Sequence, residues 1–322
     1  MQVNREVSVK KVAVLGTGGT IAGRAQSVTD EIGYTAGVVP VADLLAGLSL
    51  PAGLVAEHEQ VAQTDSKDMT LAIWQRLGQR VAHHLARPEV AGMVITHGTD
   101  TLEETAWFLH QVLAPTKPVV LTCAMRPATA LMPDGPQNLN DALRVAADGR
   151  IGGVVVVCAG RLHAAQDVTK VHTWRLDAFG SGDAGPLGVI EAGELRLFRQ
   201  SVPGRADPGL WARVQGVRAL PRVELVFSHA DAQGHLVRSL LAAPGGDIPP
   251  LRGLVVAGTG NGTVHTALAE ALEEAQAQGV VVWRGTRCAL GRPVTSGRSG
   301  GDWPLAEPSV IKARLSLALA LL

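Results

Sequence analysis

The chain is poor in cysteine and in aromatic residues and carries no net charge, and each shortage removes a class of explanation. Only Cys123, Cys158 and Cys288 occur in 322 residues, with no CxxC pair among them. So odd and scattered a set is neither a disulfide framework nor a zinc site; it predicts reduced, buried thiols in the cytoplasm. Basic and acidic residues number 29 each. With no long basic run either, the sequence points to neither nucleic acid nor an anionic membrane surface as a partner. Met1–Lys11 lacks the apolar core of a signal peptide. No apolar run is long enough to cross a bilayer, and Leu315–Leu322 reads as a buried terminal helix. Tyrosine occurs once, as Tyr34.

What is present is 46% hydrophobic residues, 18% charged residues and 37 glycines, the composition of compact domains with many tight strand-to-helix turns. Short apolar runs alternate with stretches of helical period. The expected class is α/β. A larger N-terminal α/β domain with a mixed sheet covers 1–198, and a linker rich in proline, glycine and arginine covers 199–221. A smaller C-terminal α/β domain with a parallel sheet covers 222–322. Gly297-Arg-Ser-Gly-Gly301 matches GxSxG in letters only, since no strand leads into it and no helix follows.

The most informative stretch runs from Val94 to Thr105. An apolar strand, Gly92–Thr96, breaks at His97-Gly98, and helix starts at once with Thr101 as expected N-cap and Glu104 completing a capping box. Thr99 and Asp100 therefore sit between a strand's carboxyl end and a helix N-terminus, where open α/β sheets bind ligands. Lys11–Leu15 is a second short strand, ending in Gly16-Thr-Gly-Gly-Thr-Ile-Ala-Gly23. This is neither a dinucleotide fingerprint, which needs glycine at Ile21, nor a P-loop, which needs Gly-Lys-Ser/Thr. It is either a turn letting backbone approach a ligand, with Thr17 and Thr20 presented, or a purely structural βα turn.

Arg24–Val39, with Tyr34, lacks periodicity and reads as a lid or a surface loop. Gln63–Asp68 closes another strand; Asp65 and Ser66 are expected to cap the helix after it, or Ser66 to hold a carboxylate. His83-His84 has no metal-ligand partners in the pattern. Ala165–Lys170 is a polar segment with a lone lysine, Lys170, by itself readable as a solvated charge.

Taken together, Gly16–Gly23 and Thr96–Thr105 resemble the two signature motifs of the bacterial L-asparaginase family. The likeness continues through Asp65-Ser66, Ala124-Met-Arg-Pro127, Asp134-Gly-Pro136, Asp167-Val-Thr-Lys170, Gly185–Gly188 and Gly260-Asn-Gly262. The resemblance implies hydrolysis of L-asparagine to L-aspartate and ammonia, with no metal and no organic cofactor. It also implies a homotetramer, a dimer of intimate dimers, each site shared by two subunits. Thr20 matches the nucleophile and Tyr34 the lid tyrosine that orients it. Thr99, Lys170 and Asp100 match a hydrogen-bonded triad. Ser66 and Asp100 match the residues binding the α-carboxylate and α-ammonium groups. Backbone N–H groups of the glycine turn and the helix start, at Gly19 and Gly98, are the expected oxyanion and substrate donors. A threonine hydroxyl needs a proton acceptor before it attacks, and a lysine accepts one only when neutral.

Three departures bear on affinity and on glutaminase side activity. Lys67 stands where secreted members carry a glutamine near the substrate's amino group; it is by position an expected substrate contact, one that avoids repulsion only by turning away or pairing with Asp65 or Asp68. Thr263 replaces an asparagine, and Arg284–Asp302 offers no glutamate to a neighbouring subunit. The other readings are a broader asparaginase-glutaminase, the ammonia-producing subunit of a tRNA-dependent amidotransferase, and a non-catalytic amino-acid-binding module. The second predicts an extra N-terminal interaction domain, whereas the first strand here starts near residue 11.

Overall fold

The computed structural model describes residues 9–201, 204, 207–242, 246, 248–294 and 303–322; the GxSxG-like stretch at 297–301 lies outside them. The chain divides into two compact units, Met1–Asp207 and Pro208–Leu322.

The first unit is built on an eight-stranded mixed sheet. Its parallel part comprises β1 (Lys10–Gly18), β2 (Leu54–Thr64), β3 (Val90–Thr96), β4 (Pro118–Thr122) and β5 (Gly153–Cys158), in the order β5-β4-β3-β1-β2. Antiparallel strands β6 (Arg161–Ala164), β9 (Gly188–Glu191) and β10 (Glu194–Leu197) extend it beyond β5. A two-stranded ribbon, β7 (Thr169–Lys170) with β8 (Phe179–Gly180), lies outside the sheet. Val12, Ala13, Val14 and Leu15 are all essentially inaccessible. Burial at consecutive positions means that both faces of the sheet are covered, which is why the parallel strands are continuous apolar runs. Helices α1 (Val41–Ala46) and α4 (Gly135–Ala146) close one face, where Leu139 and Leu143 meet Val12, Val14, Val94 and Val120. Helices α2 (Leu71–Leu85) and α3 (Leu102–Leu113) pack on each other, with Trp74 stacked on Phe108 at 4.8 Å between ring centroids.

Chain order and strand order diverge at one place that matters. β2 lies on one side of β1, and the chain then returns to place β3 on the other. The reversal puts a topological switch point between β1 and β3, the position where open sheets bind ligands. In register, Gly16 pairs with Thr96, and the Thr17 hydroxyl donates to the Thr96 carbonyl at 2.8 Å. The two signature motifs thus leave the sheet side by side.

Several local expectations are corrected. Thr101 occupies the N-cap position of α3 without a side-chain cap bond; its hydroxyl donates instead to the Ser66 carbonyl at 2.7 Å. Helix α2 is capped by Thr70, whose hydroxyl accepts from Ile73 N, while Asp65 caps only the single turn Ser66–Asp68. Helix α4 starts at Gly135 with Pro136 in its first turn, so the Asp134-Gly-Pro136 motif is a helix start. Strands β6 to β10 were not foreseen individually. Their two hairpins turn on Ala159-Gly160 and Ala192-Gly193, with φ of 49° and 69°, and of 51° and 80°. Positive φ at both central residues is a type I′ turn, but alanine stands where asparagine or aspartate would announce it.

The second unit is a three-stranded parallel sheet, β11 (Arg222–Phe227), β12 (Leu251–Gly258) and β13 (Val281–Thr286), in the order β11-β12-β13. Leu254 and Val256 face a cluster with α6 (His235–Ala242) and α7 (Thr266–Ala277), whereas Val255 faces α8 (Val310–Ala320). The alternation follows the two-residue period of a strand. Helix α6 was not foreseen, and the 199–221 segment carries a short helix, α5 (Leu210–Gly216). Among the described residues no helix is long and apolar enough to cross a membrane. Among the described residues no group of three or more potential ligands is placed to hold a metal ion.

Candidate active site

At the carboxyl ends of β1 and β3 two glycine turns meet. Gly19 has φ of 80°, open to glycine and costly for other residues, and a Cβ built on it would strike Gly98 Cα and N. A Cβ on Gly98 would fall 2.6 Å from Ser66 Oγ. Glycine at both positions is therefore what lets three chain segments touch. The N–H of Gly19 is committed to the Thr64 carbonyl at 2.9 Å. That corrects its expected part as an oxyanion donor: Gly19 supplies room, and the hydroxyl of Thr20 beside it faces the ligand space.

The turn after β3 is fixed from beneath by a buried chain of directed hydrogen bonds. The Trp74 indole N–H donates to Thr105 Oγ1 at 2.9 Å, and Thr105 lies 2.9 Å from His97 Nε2. His97 Nδ1 lies 2.7 Å from the Gly98 carbonyl. A carbonyl can only accept, so Nδ1 carries the proton and Nε2 accepts from the Thr105 hydroxyl. Burial pushes the His97 imidazole down to about 4, and a neutral ring is the state this chain of bonds requires.

Above that base, the expected site residues come together. Ser66 Oγ accepts from Asp100 N at 3.1 Å, reciprocating the bond from the Thr101 hydroxyl to the Ser66 carbonyl. The Lys170 amine lies 2.8 Å from Thr99 Oγ1 and 2.6 Å from Asp100 Oδ1. The Thr20 hydroxyl is 2.7 Å from the Tyr34 hydroxyl. Tyr34 belongs to a segment closed by a backbone bridge between Arg24 and Thr35. Thr20, Tyr34, Ser66, Thr99, Asp100 and Lys170 all line one cavity of about 220 Å³, together with Glu31, Ile32, Asp65, Met125, Thr173 and Trp174.

Lys67 is not among the lining residues. Its amine, on a side chain 61% exposed, pairs with Asp68 at 2.7 Å and Asp65 at 3.2 Å. These carboxylates, Asp68 first, hold the ammonium above its usual range. The expected substrate contact from Lys67 is thereby corrected to an outward ion cluster, because two carboxylates beside it outcompete a cavity already holding Lys170. Residues unforeseen in the cavity wall have local reasons. Glu31 pairs with Arg126 at 3.3 Å, which ties the Tyr34 segment to the loop after β4. Met125 is set by Asp134, whose carboxylate accepts from Met125 N and Arg126 N at 2.9 Å each. Thr173 and Trp174 lie three and four residues beyond Lys170, so the polar segment ending in that lysine was the nearest available signal for them.

Known proteins resemble this chain along nearly its whole length. Residues 11–203 match the family model described as asparaginase, N-terminal, and residues 222–321 match the glutaminase/asparaginase C-terminal domain. The chain is similar to L-asparaginase 2 of Bacillus subtilis, 34% identical over 96% of this chain and 82% of that protein. It is similar also to the glutaminase-asparaginase of Pseudomonas fluorescens, 33% identical over 99% and 88%. Among solved structures, the probable cytoplasmic L-asparaginase of Campylobacter jejuni superposes with a TM-score of 0.84 at 34% identity, covering 97% of this chain and 95% of that one.

The His97 arrangement gives a pH dependence of definite sign. Its folded value of about 4 lies below the ordinary 6.5, so the unfolded chain takes up the proton first as pH falls. The contribution, on the order of 3 kcal/mol, is complete above pH 6.5 and is lost as pH falls from there through about 4. Nitrogen NMR of histidine-labelled protein should show His97 as the neutral Nδ1–H tautomer from pH 8 to pH 5. A His97 resonance titrating near 6.5 would contradict the assignment.

Proposed function

The chain belongs to the asparaginase family, and from that premise we propose that it hydrolyses L-asparagine to L-aspartate and ammonia through a covalent acyl-threonine. The observation that carries the reading is the Lys170 amine resting on both the Thr99 hydroxyl and the Asp100 carboxylate, in the cavity that also receives Thr20. A binding module has no use for a second hydroxyl coupled to an amine. At about 220 Å³ the cavity is below the roughly 300–1,000 Å³ of drug-sized sites, which suits a free amino acid.

In this reading Thr20 Oγ attacks the side-chain amide carbon, losing its proton through the Tyr34 oxygen 2.7 Å away. The C–N bond then breaks, and the leaving nitrogen takes up the proton that Thr20 gave up and departs as ammonia. Water next attacks the threonine ester, giving one proton by way of Thr99 to Lys170; the ester C–O bond breaks, that proton returns to Thr20 Oγ, and aspartate is released. Asp100 and Ser66 take the substrate's ammonium and carboxylate. A substrate ammonium arriving at Asp100 competes with Lys170 for the same carboxylate, so binding weakens the contact that favours the charged form of the amine. The developing oxyanion is met by backbone donors at the Thr20 and Thr99 turns, each worth about 3–4 kcal/mol where such donors have been removed.

The same reading makes the protein a cytoplasmic homo-oligomer, a dimer of intimate dimers. Family resemblance supports the assembly; three free thiols and the cytoplasmic structural relative support the location. A broader asparaginase-glutaminase is the second reading, favoured by the Pseudomonas relative's name.

Purified protein should release ammonia from L-asparagine, and Thr20→Ala should lower kcat by at least about 10³-fold, as loss of a nucleophile does. Turnover retained in the variant would remove Thr20 from the mechanism. Because Lys67 is turned outward, Lys67→Gln should leave kcat unchanged and alter KM for L-asparagine by less than about threefold, the scale of an exposed ion pair. A tenfold or larger change in KM, or a gain of glutaminase activity, would return Lys67 to the substrate.

A further inference from the structure

We infer that Glu103 is a positioning residue for Lys170, holding the backbone from which the amine reaches the reacting groups; the inference rests on Lys170 acting as the base proposed above. Glu103 is the second residue of α3 and is 6% exposed. Its Oε2 accepts the backbone N–H of Lys170 at 2.7 Å, across 67 residues of sequence. Lys170 closes a strand only two residues long, paired as Thr169 with Gly180 and Lys170 with Phe179. So short a ribbon fixes little by itself, and the four-carbon lysine stem adds rotors between backbone and amine.

The amine is placed only if both ends of that stem are held. Thr99 and Asp100 hold the tip, and Glu103 holds the root. All three belong to one stretch of five residues, so base and hydroxyl are referenced to the same rigid turn. The residue type is also explained. A carboxylate makes a stronger hydrogen bond to an N–H than a neutral acceptor does, and the first turn of a helix is where a negative charge is favoured.

Removing the root contact while leaving cavity-lining groups in place should displace the amine. Misplacement of about 1 Å costs on the order of 10²-fold in rate. Glu103→Ala is expected to lower kcat for L-asparagine by at least about tenfold with KM within twofold. Glu103→Gln, which keeps a carbonyl acceptor, should stay within about threefold of wild type. Glu103→Asp shortens the reach by one methylene in nearly the same volume, and should fall between them even if the alanine variant does not fold. Wild-type kcat in both the Asp and Ala variants would overturn the inference. So would kcat and KM changing together in all three, the mark of a general loss of structure. An inactive wild type would sink the function reading instead. The placement would then be read from reductive methylation of the Lys170 amine, expected to be faster in Glu103→Asp than in Glu103→Gln, with equal rates counting against it.

Discussion

One turn, His97 to Glu103, touches the glycine turn that carries Thr20 and is hydrogen-bonded to Ser66 and Lys170, and the rest of the first unit serves to hold it still. Gly98 lies against Gly19 without room for a side chain on either. Asp100 and Thr101 hold Ser66 from both sides. Thr99, Asp100 and Glu103 hold Lys170 at tip and root. Segments from three separate regions of sequence thus acquire fixed positions relative to a single short loop. For a threonine, whose hydroxyl is a weak nucleophile, alignment with an acceptor is the main resource available.

The sheet makes that turn possible. Reversal of strand order at β1 places the glycine turn and the His97 turn at adjacent strand ends. Beneath them the path from Trp74 through Thr105 to His97 ties the loop to helices α2 and α3. Each donor in that path has one acceptor, so the ring cannot change tautomer without breaking a buried bond. A stack of Trp74 on Phe108 anchors its far end in the core.

Much of this was legible in the residues. The parallel strands announce themselves as apolar runs because both faces are buried, and β3 ends where expected, at Thr96. The antiparallel extension did not, because both hairpins turn on Ala-Gly and the strands are four residues long. At the site, Thr99 and Asp100 stood out by lying between a strand end and a helix start. Thr20, Tyr34 and Lys170 had bland local readings, and resemblance singled them out. Lys67 was flagged correctly as an electrostatic problem, and the structure solves it with Asp65 and Asp68. Glu103 escaped notice because a capping rule directs attention to Glu104 next to it. Contacts spanning 67 to 71 residues, such as those of Lys170, have no local sequence signal.

The most direct test of the central claim is a crystal structure with L-aspartate, the expected product, bound. The side-chain carboxylate should lie within hydrogen-bond reach of both Thr20 Oγ1 and Thr99 Oγ1, with the α-ammonium on Asp100 and the α-carboxylate at Ser66. Aspartate bound away from these turns, or seated with Lys170 swung off Thr99 into solvent, would contradict the account.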